Sequence, residues 1–244
     1  MSVTAPPLED LIVYPDSDGQ PMAENSVQYE WIVRIKGNLD AVFRDRPDVF
    51  VAGDNLIYPV KGRNDIRAAP DVYVAFGRPK GDRGSFQVWK EGGVFPQVVF
   101  EVLSPGNTGR EMALKRTFYR KYGVEEYYVI DPDLGDVEAT LRQKKKFVDV
   151  DDLTNFVSPR LGIRFDTTGG ELVIFGPTGE RFLTFDELSR RAAEAEKALR
   201  QETRRADTQK RRADTQKRRA DHADARAEVL AAKLRELGLD PESL

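Results

Sequence analysis

The chain divides at Phe185. All 23 of its aromatic residues lie at or before that position. From Asp186 to Leu244 there is one glycine, Gly238, and one proline, Pro241, among 15 basic and 13 acidic residues. A stretch with so few large apolar side chains and turn formers cannot close a core of its own. It reads instead as one long charged helix. The 244 residues are therefore expected to divide into an N-terminal extension (1–21), one globular domain (22–185) and a charged heptad-repeat helix (186–244).

The last segment repeats. Arg204–Lys210 and Arg211–Lys217 both read RRADTQK, and Arg218–Asp224 reads RRADHAD. A period of seven is that of a coiled coil, but the seam is thin. With Ala206, Ala213 and Ala220 at one core position and Gln209 and Gln216 at the other, little apolar area is available. Arg205, Arg212 and Arg219 would flank that seam with like charge. Within one helix, Asp207 and Asp214 precede Arg211 and Arg218 at the favourable i,i+4 spacing, worth about 0.2–0.5 kcal/mol each. Three readings follow: a solvated helix, a weak oligomerisation helix, or a nucleic-acid contact. The last is favoured by eight basic against two acidic residues in Arg204–Arg219.

Two small counts limit the chemistry. The chain has no cysteine and one histidine, His222, which falls in the repeats. Thiol catalysis, iron–sulfur clusters, cysteine-ligated zinc and multi-histidine metal sites are excluded together. A metal would have to be held by oxygen, which points to Mg²⁺ or Mn²⁺, or to Ca²⁺. The N-terminal decapeptide lacks the pattern of a signal peptide. No apolar run reaches the ~18 residues of a membrane span. The expectation is a cytoplasmic protein with no membrane contact.

The first 185 residues alternate in type. Met22–Phe43 places Val27, Trp31, Ile35, Leu39 and Val42 at helical spacing. Val49–Val60 reads as two short strands broken at Gly53-Asp54, and Asp71–Phe76 and Val98–Leu103 read as strands. Asn107–Tyr122 reads as a helix. Thr108 and Glu111 form a capping-box pattern, Met112, Phe118, Tyr119 and Tyr122 form the apolar face, and Gly123 is the stop. Tyr127–Asp131 is a further strand, and Asp136–Phe175 reads as hairpins. This is a mixed α/β domain around a central sheet.

Three features of that domain converge. Asp71 opens a strand directly after Pro70. Glu101 sits inside the apolar strand VVFEVL, where an unpartnered carboxylate would be costly. The plain alternative for Glu101 is that strand alternation turns it to solvent. Lys115 lies on the following helix. Two strand carboxylates can share one hard cation, which then needs only water or phosphate oxygens to complete its shell. A nearby ammonium can stabilise a phosphorus centre under attack. The implied chemistry is metal-dependent phosphodiester hydrolysis. Two other segments suit a phosphate less specifically: the basic loop Gly77–Gly84, and Ser104–Thr108 at a helix N-terminus.

The stretch E-V-L-S-P, then K-R-x-F-Y, then Y-G-V-x-E-Y-Y-V-I-D-P, with P-D-V at an earlier strand, resembles the Uma-two family of restriction-endonuclease-like proteins. That family is similar to the PD-(D/E)xK nuclease superfamily, and the resemblance covers residues 22–185. It implies a restriction-endonuclease-like mixed central sheet flanked by helices, here followed by the long charged C-terminal helix. Asp71 matches the acid of the P-D half-motif, and Glu101 matches the second metal-binding acid. The superfamily's usual lysine position, two residues on, is Leu103. The resemblance implies that Lys115 supplies the amine from the helix, with Arg116 and Lys121 as fallbacks. Superfamily nucleases often add a first-helix glutamate, for which Glu24 and Glu30 are the candidates.

The expectation is a Mg²⁺- or Mn²⁺-dependent endonuclease acting on DNA. The resemblance further implies a homodimer. The alternatives are a nuclease-fold module that binds nucleic acid with little or no cleavage, and an oligomeric scaffold acting through the C-terminal helix.

Overall fold

The computed structural model of the chain describes residues 12–17, 19 and 23–236. It falls into two units, 1–185 and 186–244.

The first unit opens with α1 (Ser26–Val42), whose cap is Asn25: its side chain accepts a hydrogen bond from the Gln28 amide at 2.8 Å. The buried side is Gln28, Ile32, Ile35, Asn38 and Leu39. The expected apolar face is thus rotated. Ile32 takes the inner position, while Val27 is exposed and Trp31 only half-buried. The rotation brings two amides inside. Gln28 donates to the Val102 carbonyl at 2.9 Å, and Asn38 exchanges bonds with the backbone of Leu183. Sequence periodicity weights apolar residues and so misses a helix that buries polar groups with partners.

The strands are β1 (Val49–Ala52), β2 (Ile57–Tyr58), β3 (Val72–Phe76), β4 (Phe86–Gln87), β5 (Val98–Val102), β6 (Glu126–Asp131), β7 (Asp136–Gln143), β8 (Lys146–Asp149), β9 (Arg164–Asp166) and β10 (Val173–Phe175). Six form one sheet in the order β1-β3-β5-β6-β7-β8. Only β5 and β6 pair in parallel within it; the other neighbours are antiparallel. That parallel pair requires a crossover, which α2 (Gly109–Tyr122) supplies. Its N-cap is Thr108, which accepts from the Glu111 amide, and Gly123 closes it at φ 108°. β9 and β10 form a separate hairpin, and β2 and β4 form a short parallel pair.

The sheet separates two apolar clusters. Val98, Phe100 and Val102 of β5 join Ile32, Ile35 and Leu39 of α1. Val99 of the same strand joins Tyr73, Tyr119 and Tyr127 in the other cluster, the one that includes α2. All five residues of β5 are buried. The strand is covered on both faces, so it has no wet side for Glu101 to occupy.

Residues 12–17 lie within the expected N-terminal extension and are held by the first unit. Tyr14 packs edge-on against Tyr58, and the Tyr58 hydroxyl donates to the Pro15 carbonyl at 2.8 Å. The remainder of 1–21, apart from Gly19, lies outside the described residues.

The second unit is α3 (Phe185–Glu236), 52 residues with none buried. Arg190 pairs with Asp186, and Arg200 with Glu196, each at 2.6 Å. The pairs expected from Asp207 to Arg211 and from Asp214 to Arg218 are not formed. On a fully exposed helix the small Coulomb gain does not reliably exceed the entropy of fixing two long side chains. Among the described residues no helix is long and apolar enough to cross a membrane.

Candidate active site

Alternation along the strands decides which side chains meet. On β5, Glu101 shares a face with Val99, and Val99 belongs to the cluster that includes α2. Asp71 immediately precedes β3, and alternation puts it on the face of Tyr73, which belongs to the same cluster. The antiparallel register pairs Val72 with Phe100, so the next step places Asp71 opposite Glu101. α2 crosses this face from above. The two acids and the helix lysine expected from the sequence are brought together by three elements.

Lys115 donates from Nζ to Glu101 Oε2 at 2.8 Å. The Glu101 side chain is 2% exposed and that of Lys115 24%, so a partly exposed lysine side chain places its ammonium on a sealed carboxylate. The second oxygen, Oε1, accepts from the Tyr119 hydroxyl at 2.6 Å. Asp71 Oδ2 accepts from the Val102 amide at 2.6 Å, which fixes that carboxylate against β5. The carbonyl of the same residue, Val102, takes the Gln28 amide from α1. Val102, next to Glu101, is thus tied at its amide to Asp71 and at its carbonyl to α1.

Burial sets the protonation. It pushes the Asp71 carboxyl up, helped by the charge of Glu101, to about 8 despite the Val102 amide and Lys115. Burial also raises Glu101 above the ordinary carboxylate range, against the pull of Lys115 and the Tyr119 hydroxyl. Burial disfavours the Lys115 ammonium, but the negative charges of Glu101, Asp71 and Glu111 outweigh it and raise that group. Near neutral pH the site therefore holds a cation facing two acids that resist carrying full charge together.

The alternatives raised by the sequence separate cleanly. Arg116 pairs with Asp149, away from Glu101. Lys121 lies over the Tyr122 ring, 4.9 Å from its centre. Glu30 is exposed on α1. Glu24 reaches the turn after β5, where its Oε2 accepts from the Ser104 hydroxyl at 2.6 Å and the Gly106 amide at 3.0 Å. Those bonds, with Asn107 Oδ1 on the Ser104 amide, use the donors that made Ser104–Thr108 a candidate phosphate loop. The basic loop Gly77–Gly84 is also engaged internally. Lys80 donates to the carbonyls of Phe43 and Arg44, and Arg83 forms a half-buried pair with Glu91 at 2.7 Å while lying over Phe50. His222 is exposed on α3.

Tyr119 is the site residue that sequence reasoning assigned to the core only. Its signal was present: it lies four residues after Lys115, so a helix that aims one at β5 aims the other there too.

Among the described residues there is no group of three or more acids or histidines that could hold a metal. Asp71 and Glu101 are the residues that could share one. They are hard oxygen donors, the oxygens already hydrogen-bonded keep a second lone pair, and Mg²⁺ requires only one or two carboxylates.

A protein-family model described as "Putative restriction endonuclease", Uma2, matches residues 14–180. A solved structure titled as a putative nuclease belonging to DUF820, from Anabaena variabilis ATCC 29413, is similar at 16% identity and a TM-score of 0.42. That similarity covers 57% of this chain and 74% of the other. No curated protein matches. The family match spans well over half of the chain and contains Asp71, Glu101 and Lys115, and the protein belongs to the Uma2 family of restriction-endonuclease-like proteins.

Proposed function

We propose that this protein is a divalent-metal-dependent endonuclease that hydrolyses phosphodiester bonds in DNA, with Asp71, Glu101 and Lys115 at its centre. The observation that carries the reading is the buried Glu101 carboxylate. It is bonded at once to the ammonium of a partly exposed lysine and to a buried hydroxyl, and Asp71 lies one step beyond the paired register that ends at Val72 and Phe100.

Asp71 and Glu101 would hold the cation, Mg²⁺ or Mn²⁺. When bound, it supplies Lewis-acid stabilisation of the charge that gathers on a phosphodiester attacked by water. The Val102 amide keeps Asp71 turned toward β5. Tyr119 keeps Glu101 in one rotamer and satisfies the oxygen that Lys115 does not use. Lys115 would serve as a fixed positive charge beside Glu101, where a phosphate oxygen gains negative charge in the transition state. Its position on α2, not two residues beyond Glu101, puts the ammonium on the same carboxylate by a different route.

The test is nicking of supercoiled plasmid by the full chain with Mg²⁺ or Mn²⁺, beside Asp71→Asn and Glu101→Gln. Loss of either metal-binding carboxylate is expected to cost several kcal/mol, hence about 1,000-fold in rate. Lys115→Met is expected to lower the rate less steeply. Wild-type nicking no faster than both acid variants, or persisting unchanged in a chelator, would overturn the reading.

A further inference from the structure

The repeats on α3 are unused by that chemistry, and their charges are segregated. Arg205, Arg212, Arg219 and Arg226 recur every seven residues. Seven residues fall about 20° short of two helical turns. The four therefore stay within about 60° of one another, about 10.5 Å apart along the axis and spanning about 31 Å. Every acid from Asp207 to Glu228 lies two residues from one of them: Asp207, Asp214, Asp221, Asp224 and Glu228. Two residues are about 200° of rotation, so all five acids stand on the opposite side. The other cations of the repeats, Arg204, Arg211, Arg218, Lys210 and Lys217, are three residues from an Asp and share its side. On the arginine side the neighbours one turn away are mostly Thr208, Gln209, Thr215, Gln216 and His222, with Glu202 the one acid.

All residues from Arg204 to Arg226 are exposed, and no ion pair is formed among them. A helix needing only solubility has no reason to sort its acids to one side. Four arginines at about a Debye length from one another repel, and that repulsion is relieved by a polyanion.

We propose that this face of α3 binds the phosphate backbone of duplex DNA without reading its sequence. A duplex carries one negative charge per about 1.7 Å of axis, far denser than the arginine ladder. Each guanidinium can thus find a phosphate in any register, and its planar fork suits bidentate contact. The length of the ladder approaches one turn of the double helix, about 34 Å. A second copy of the helix is a poorer occupant, because it would set Arg205, Arg212 and Arg219 against like charge beside an Ala/Gln seam. The inference does not depend on the catalytic reading.

The experiment measures binding of the full chain to a fluorescent 30-base-pair duplex of arbitrary sequence, across NaCl concentrations, in chelator so that cleavage cannot intervene. One variant carries Arg205→Gln, Arg212→Gln, Arg219→Gln and Arg226→Gln. A control removes the same charge from the other side, with Arg204→Gln, Lys210→Gln, Arg211→Gln and Lys217→Gln. Arg and Gln have similar helix propensity, and circular dichroism checks that helix content is kept. The first variant is expected to bind about 100-fold more weakly at low salt and to lose roughly 3 to 4 from the slope of log affinity against log salt. The control is expected to change both far less. Equal effects of the two variants, or no effect of the first, would overturn the proposal. So would a change of mass in solution in the first variant without DNA, which assigns the face to a second copy. A wild type that binds the duplex but fails to nick plasmid rejects the catalytic reading and leaves this one standing.

Discussion

Two glutamates on neighbouring strands are buried alike and built differently. Glu101 on β5 is 1% exposed and Glu126 on β6 is 2% exposed; burial pushes both carboxyls up. Glu126 lies on the other face of the sheet, the face of Tyr128 and Ile130. Its oxygens accept from the Tyr128 and Ser158 hydroxyls and from the Arg160 amide. Each of those donor groups is neutral, and two belong to the turn before β9; the Arg160 guanidinium lowers the Glu126 carboxyl by its charge but spends its hydrogen bonds on Glu125. Glu101 instead bonds the ammonium of a partly exposed lysine, and Asp71 lies one step beyond the β3–β5 register that ends at Val72 and Phe100. A buried acid by itself marks a polar tie within a core. A buried acid with a second acid and a partly exposed lysine is the arrangement on which the proposed site rests.

The sharpest way to break this contrast is to treat both acids the same way. Glu101→Gln is expected to remove cleavage by about 1,000-fold. Glu126→Gln is expected to leave the rate per folded molecule unchanged and to act on stability alone. There, one amide hydrogen pair replaces an acceptor facing hydroxyls and a backbone amide, a loss of about 1–3 kcal/mol. Nicking assays and urea titrations on the same two preparations check it. Equal activity loss in both variants would erase the distinction.

The pH dependence separates the two faces next. Burial and the charge of Glu101 push the folded Asp71 carboxyl up from the ordinary 3.8 to about 8. Between those values the folded chain holds a proton that the unfolded chain has released. Stability contributed by the protonated form is full below about pH 4 and is lost as pH rises through 8. In chelator, wild-type stability is therefore expected to fall across that window. Asp71→Asn, which keeps an acceptor for the Val102 amide, is expected to flatten the fall and to be the more stable chain at pH 8. Urea midpoints from pH 5 to 9 give the comparison. An identical slope in both chains would mean that Asp71 carries no such proton.

The local part of this arrangement was legible in the sequence. Thr108, Glu111 and Gly123 define α2 because capping depends on residues three or four apart. The apolar runs define β3, β5 and β6. Asp71, Glu101 and Lys115 stood out as candidates because acids and cations in or beside apolar runs require an explanation. The illegible part is non-local. The rotation of α1 depends on Gln28 and Asn38 finding backbone partners at Val102 and Leu183. The β2–β4 pairing joins Ile57 to Phe86, with two residues per strand and no periodicity to detect. The basic loop looked free because Arg83 meets Glu91 and Phe50 only after folding.

Tyr119 offers the smallest and finest test. In Tyr119→Phe, Glu101 loses the donor on Oε1 but keeps Lys115 on Oε2. The carboxylate stays paired, so the stability cost is expected near 1 kcal/mol, the net worth of one hydrogen bond. The catalytic effect should follow orientation and not charge. The rate constant is expected to fall by about tenfold while substrate affinity holds, and the metal concentration for half-maximal activity is expected to rise. A purely structural tyrosine would lower stability and leave both quantities unmoved. Tyr128→Phe removes the matching hydroxyl from Glu126 on the other face and should do just that.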